Sequence, residues 1–207
     1  ISGALSSMRQ VRSYLEQRKA EYPLLWVFGE HLLDAKAVES ALVEALDGDG
    51  EVKDSASIAL TEIRQRIKHT LQRIQERIQA NLSKYRSLLS DPIYTIRDGR
   101  YVIPLKAEYR GRIKGIVHDT SASGQTIFVE PEDVLAAGNQ LREAEAAEKE
   151  EVRRILTQLS AKVGAVGEEA ILGLENAWHL DLALAKARLA YKMKAIRPEL
   201  RKSPGIS

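Results

Sequence analysis

The apolar residues Leu60, Ile63, Ile67, Leu71, Ile74, Ile78, Leu82, Tyr85 and Leu89 follow one another at steps of three and four. Steps of that size keep every member on one face of an α-helix, so the run predicts a single helix over residues 57–89. At about 1.5 Å per residue such a helix reaches about 50 Å, the dimension of a rod rather than of a compact globule. The mean step lies nearer the eleven-residue repeat than the heptad, which predicts a nearly straight or slightly right-handed pairing. A matching stripe at Val152, Ile155, Leu159, Val163 and Val166 supplies the partner, a second helix expected to return along the first.

Between the two stripes the period changes. Residues 93–96 and 101–105 alternate like strands around Asp98-Gly99, and that dipeptide suits a type I′ hairpin turn, which needs positive φ at both central positions. The expectation is a β-like island between long helices. Ahead of it, residues 5–21, 24–33 and 35–46 read as shorter helices, followed by a turn at Asp47-Gly-Asp-Gly50. That turn has acidic residues but not the full ligand spacing of a calcium loop. Residues 177–195 read as an Ala/Leu-rich helix ended by Arg197-Pro198, with Leu180, Leu182, Leu184 and Leu189 packed on the N-terminal helices. Aromatic residues make up only 5% of the chain and charged ones 29%, a balance that fits helices with long solvated faces better than a sheet-rich fold.

Cysteine is absent, which excludes disulfide frameworks and thiolate metal sites. No apolar run approaches the roughly 20 residues of a membrane span, and no signal peptide is visible, so a soluble, cytoplasmic protein without a membrane partner is expected. The first residue is Ile1 rather than Met, and the expectation is a segment of a longer polypeptide.

A net charge of +2 decides nothing about partners, but its distribution does. From Arg64 to Arg86 the cations Arg64, Arg66, Lys68, Arg73, Arg77, Lys84 and Arg86 are accompanied only by Glu76, whereas seven acids between Glu132 and Glu151 are accompanied only by Arg142 and Lys149. One long helix is basic and the other acidic, as expected if they run antiparallel and neutralise each other. The island is different. Arg97, Arg100, Lys106, Arg110, Arg112 and Lys114 exceed Asp98 and Glu108 on a short stretch with no acidic run of its own, and these six are the candidate phosphate-binding residues. Arg73, Arg77, Lys84 and Arg86 on the basic helix form a secondary candidate set.

The run Arg97-Asp-Gly-Arg-Tyr-Val-Ile-Pro-Leu-Lys-Ala-Glu-Tyr-Arg-Gly-Arg112, followed by Gly115-Ile-Val-His-Asp119, Ser121-Ala-Ser-Gly124 and Glu130-Pro131, resembles the second, recombination-suppressing branch of the MutS superfamily. Gly50-Glu-Val-Lys-Asp-Ser-Ala-Ser57, Ile63-Arg64 and Leu180-Asp-Leu182 through Ala190-Tyr191 resemble it too, so the likeness covers essentially the whole chain. It implies a mainly α fold: a helical core, a long antiparallel helix pair serving as a lever, and a small antiparallel β clamp inserted at its tip. The implied parts are core at 1–56, ascending lever at 57–91, clamp at 92–131, descending lever at 132–167, and core again at 168–207. In that family an ATPase domain follows the core, and Arg197-Pro-Glu-Leu200 resembles the junction before it. The sequence holds no Gly-x-x-x-x-Gly-Lys-Ser/Thr phosphate loop. The expectation is therefore a region that is not itself an enzyme and carries no cofactor, with ATP, Mg²⁺ and the family's endonuclease activity belonging to domains elsewhere in the longer protein.

His118, Asp119, Ser121 and Ser123 include every residue type of a hydrolytic triad, but six consecutive positions do not supply the separated, oriented groups such chemistry needs. Turn chemistry at Ser121, Ser123 and Gly124 accounts for them better. His31, His69 and His179 show no carboxylate spacing that would hold a metal. The expected function is sequence-independent binding of duplex or branched DNA by the clamp, in a nucleoid-associated homodimer whose levers enclose the nucleic acid. Six neutralised phosphates would give a log-log salt slope of about −5. Two alternatives stay open at this point: a clamp that grips ribosomal RNA or the ribosome, which the resemblance also implies, and a purely mechanical, dimerising lever.

Overall fold

A computed structural model describes residues 1–196; Arg197-Pro-Glu-Leu200 lies outside the described residues. The described chain is mainly helical, with six α-helices and one four-stranded antiparallel sheet. It divides into two compact units, one formed by Ile1–Glu44 with the chain from Gln158 onward, the other by Ala45–Thr157.

In the first unit α1 (Ser2–Glu16), α2 (Pro23–Gly29) and α6 (Gly167–Met193) surround Leu5, Met8, Leu15 and Leu180, all buried. Pro23 opens α2 at a position where its missing N–H costs no helical hydrogen bond. The third helix, α3 (Lys36–Ala45), is held by a forked ion pair in which Arg9 donates to both oxygens of Glu39, at 2.8 and 3.1 Å. That pairing keeps the Glu39 carboxyl below its ordinary pKa. The helix α6 begins ten residues before the expected 177, and of the four leucines expected to pack, only Leu180 is buried; Leu182, Leu184 and Leu189 are exposed. The reason is that apolar residues occupy most of its circumference, Ile171, Leu174 and Trp178 among them, so no single stripe marks its packed face.

The second unit starts with a turn in which the Asp47 carboxylate accepts from the amides of Asp49 and Glu51, each at 2.9 Å. Its acidic side chain is thus used on its own backbone, the turn chemistry that the sequence suggested. The helix α4 (Ile58–Lys84) is capped by Ser57, whose Oγ accepts from the Leu60 amide at 3.0 Å and donates to Glu151 at 2.7 Å. It ends at Lys84, short of the expected residue 89, so its 27 residues span about 40 Å rather than 50. The apolar stripe continues past the helix end in a different backbone. Leu89 is buried, but as a bridge partner of Leu105, while the Lys106 amide donates to the Leu88 carbonyl at 3.0 Å. Spacing alone cannot distinguish a last helical turn from a short extended segment that buries the same side chains.

The acidic helix α5 (Glu132–Gly164) runs antiparallel to α4. Along the pair, Arg64 meets Glu148 at 2.7 Å, Arg73 meets Gln140 at 3.4 Å, Arg77 donates to the Asp133 carbonyl, and Asn81 donates to both Asp133 oxygens at 3.0 and 2.9 Å. The expected neutralisation is therefore real but local. Arg64 is the basic-stripe residue with a close carboxylate partner on α5, and the other links fall to amides and a carbonyl.

The sheet has the order β1-β2-β4-β3, built from β1 (Thr95–Arg97), β2 (Arg100–Lys106), β3 (Gly115–Thr120) and β4 (Thr126–Pro131). The β1–β2 connection is the expected two-residue turn: Asp98 and Gly99 have φ of 48° and 69°. Ile103 pairs with Val129 and Leu105 with Ile127, and these four side chains join Ile74, Ile78 and Leu82 of α4 and Val134, Ala137 and Leu141 of α5 in one buried cluster.

Candidate nucleic-acid interface

Alternation along β2 and β4 gives the sheet two different faces. Tyr101, Ile103 and Leu105 pack toward the cluster, together with Ile127 and Val129, which leaves Arg100, Phe128 and Glu130 on the other side. The segment between β2 and β3 crosses on the cluster side, since Ala107 and Tyr109 pack against the cluster and Ile113 is buried within it. This segment is fixed at both ends. The Ala107 amide donates to the Gln125 carbonyl at 2.9 Å, and the Lys114 carbonyl accepts from the Glu132 amide at 2.9 Å.

With Ile113 as an anchor, the polar residues around it face outward. Arg110 and Arg112 are exposed on either side of the turn at Gly111, whose φ is 84°, and Lys114 is exposed just before β3. Among the described residues none of these three cations has an ion-pair partner. The turn at Gly111 thus puts three cations on one short, anchored loop.

The remaining cations of the island are differently engaged. The Arg97 guanidinium lies over the Phe128 ring, 4.5 Å from its centroid, with Nε 3.8 Å from the Asp119 carboxylate. Arg100 is mostly buried, donating to Asn139 at 2.7 Å and lying 3.5 Å from Glu130. Lys106 Nζ donates to the Ser87 carbonyl at 3.4 Å. Six residues that the sequence groups together therefore fall into a free loop trio and three cations with protein partners. In the secondary set, Arg73 and Arg77 are directed to α5, Lys84 Nζ lies 4.9 Å from the Tyr85 ring centroid, and Arg86 is exposed. Contact with the Tyr85 hydroxyl raises the Lys84 pKa.

The feature that sequence reading missed is Glu130. Its side chain is 1% exposed and takes contacts from three elements: Arg100 of β2, His118 of β3 at 2.7 Å, and α5, where Gly138 leaves room for its Oε1. His118 reaches it because β3 carries a register shift between Val117 and Asp119, a bulge of the kind that re-aims a side chain. A carboxylate at the end of the apolar run Ile127-Phe-Val was the available signal, since an acid there needs partners if the strand is buried.

The four residues with triad chemistry do not converge. His118 is directed to Glu130, Asp119 accepts from the Thr120 amide at 2.8 Å, and Ser121 Oγ accepts from the Thr126 amide at 3.1 Å within the β3–β4 turn. Among the described residues no group of three His, Asp or Glu side chains is arranged to hold a metal ion, and no described helix is long and apolar enough to cross a membrane.

A small antiparallel sheet set at the end of a long antiparallel helix pair, with a cationic loop anchored across it, defines a clamp-bearing helical protein. No protein-family model matches the chain. Curated relatives do: it is 42% identical to the Endonuclease MutS2 of Geobacillus sp. strain WCH70 over 204 residues, 96% of this chain and 26% of that protein. It is 41% identical over 202 residues to the protein of the same name from Thermomicrobium roseum, and 37% identical over 205 residues to that of Clostridioides difficile strain 630, again covering 26% of each. The chain belongs to the MutS2 branch of the MutS superfamily, and it spans about a quarter of the length of the curated relatives it matches.

Proposed function

We propose that this region is the lever and clamp of a recombination-suppressing MutS-type protein and grips the phosphate backbone of duplex or branched DNA without reading its sequence. The observation that carries the reading is the trio Arg110, Arg112 and Lys114, exposed, without acidic partners among the described residues, and held on a loop whose two ends are hydrogen-bonded to the sheet and to α5. Guanidinium groups placed this way can each fork onto a phosphate, with Lys114 adding a point charge. Arg97, set over Phe128 on the other sheet face, and Lys106, tied to the Ser87 carbonyl, lie outside the phosphate contact, and Arg100, committed to Glu130 and Asn139, shapes the clamp rather than the contact.

The lever division of the chain into core, ascending helix, clamp and descending helix belongs to the same proposal, as does enclosure of the nucleic acid by two copies. ATP and Mg²⁺ are assigned to other parts of the longer protein, because the phosphate-loop motif is missing from this sequence, and nuclease chemistry is assigned there with them. Three contacting cations predict a log-log salt slope of about −3 for DNA binding measured by fluorescence anisotropy. No binding at low salt leaves the mechanical-lever reading. Competition between matched DNA and RNA duplexes separates this proposal from a ribosomal RNA clamp, which requires RNA to win.

A further inference from the structure

Phe128 sits on the sheet face opposite the basic loop, paired across the ladder with Pro104 on one side and Asp119 on the other. It is partly buried, and the guanidinium of Arg97 lies over its ring at 4.5 Å. The Asp119 carboxylate, 3.8 Å from Arg97 Nε, limits how that guanidinium can turn. The result is a planar cation set over an aromatic ring, with 47% of the Arg97 side chain open to solvent. A phosphate grip needs only charge and has no use for the backing ring. A guanidinium plane held over a ring and still about half open to solvent suits a flat π system, and nucleobases stack on such planes when they are not already stacked in a helix.

We infer that Arg97 and Phe128 form a stacking subsite for a single unpaired nucleobase, an inference that rests on the phosphate-grip reading and deepens it. Bases inside an intact duplex present only their edges and cannot reach the subsite. A base beside a gap or at a branch can. The clamp then holds backbone through Arg110, Arg112 and Lys114 on one face and selects interrupted DNA through Arg97 on the other.

The test uses this chain with two DNA probes, a fully paired duplex and the same duplex with a gap that leaves one 2-aminopurine unpaired. Stacking predicts about tenfold tighter binding of the gapped probe, with a change in 2-aminopurine fluorescence on binding. Arg97→Lys keeps the charge but loses the plane, so paired-duplex affinity should stay within about twofold while the preference and the fluorescence change disappear. Phe128→Leu, which retains apolar bulk, should weaken the preference in the same direction. Equal affinity of the wild-type chain for both probes overturns the subsite and spares the phosphate grip, and so does an Arg97→Lys variant that keeps the full preference. Failure to bind either probe overturns both readings.

Discussion

The Glu130 carboxylate lies 2.7 Å from His118 Nε2 while its other oxygen lies 3.5 Å from Arg100 Nη1, and its side chain is 1% exposed. One buried acid thus ties two strands of the clamp together beside α5. Its polar atoms are partnered: Arg100 is held on its far side by Asn139 at 2.7 Å, and among the described residues no buried side-chain nitrogen or oxygen lacks a partner.

Removing one member of such a buried set strands the others without compensation. Glu130→Ala should therefore lower unfolding stability by about 3–5 kcal/mol in urea titration. Replacing both Arg100 and Glu130 with Met should recover most of that loss, because an apolar pair removes the unpaired charge. A Glu130→Ala variant of wild-type stability would show that the cluster contributes nothing to the clamp.

Gly115 approaches the neighbouring strand so closely that a Cβ there would lie 2.1 Å from the Glu130 carbonyl oxygen. That atom belongs to the backbone and cannot rotate away. Gly115→Ala should cost about 1–3 kcal/mol and loosen the start of β3, displacing Lys114 and weakening DNA binding. Hydrogen exchange at β3 amides gives the direct readout, with faster exchange expected in the variant.

Much of this fold is legible in the sequence because its strongest determinants are local. Asp98-Gly99 defines its hairpin without reference to the rest of the chain, and the alternation of apolar residues around it supplies the two strands. The α4 stripe identifies the long helix and its packed face for the same reason. What stays hidden depends on contacts between distant residues. The helix end at Lys84 is decided by the pairing of Leu89 with Leu105, and the fate of Arg100 by Glu130 and Asn139, thirty and thirty-nine positions away. In composition Arg100 and Arg110 are equivalent cations, and only the fold separates the mostly buried one from the exposed one.

Asn81 is buried where α4 nears its end, donating to its own helix at the Arg77 carbonyl and across to Asp133 in the first turn of α5. Asn81→Leu removes the donor and leaves the Asp133 carboxylate without it, a loss of about 1–3 kcal/mol. Thermal melting should show the decrease, and Asp133→Asn in the same background should restore part of it.

Glu151 is strongly perturbed by its surroundings. Hydrogen bonds from Arg154 and Ser57 lower its pKa from 4.5 to about 2. The folded chain binds this proton less readily than the unfolded chain does, so the associated stabilisation is present above about pH 4.5 and disappears as the pH falls toward 2. Melting curves of wild type and Glu151→Gln should diverge at pH 6, with wild type more stable, and converge near pH 2. Parallel curves across that range would mean that the carboxylate is not linked to folding.

Reversing two charges of the loop trio is the sharpest probe of the phosphate grip. DNA anisotropy titrations at several salt concentrations should be compared for the wild-type chain and the Arg110→Glu/Arg112→Glu variant. Exposed loop residues flanking Gly111 carry no ion pair among the described residues, so the variant should keep its fold, which circular dichroism can verify. Wild-type binding should be salt-sensitive with a slope of about −3, and the variant's affinity should fall by at least about a hundredfold. Unchanged affinity in the variant would contradict a phosphate grip by this loop and move the contact surface to the basic helix around Arg73, Arg77, Lys84 and Arg86.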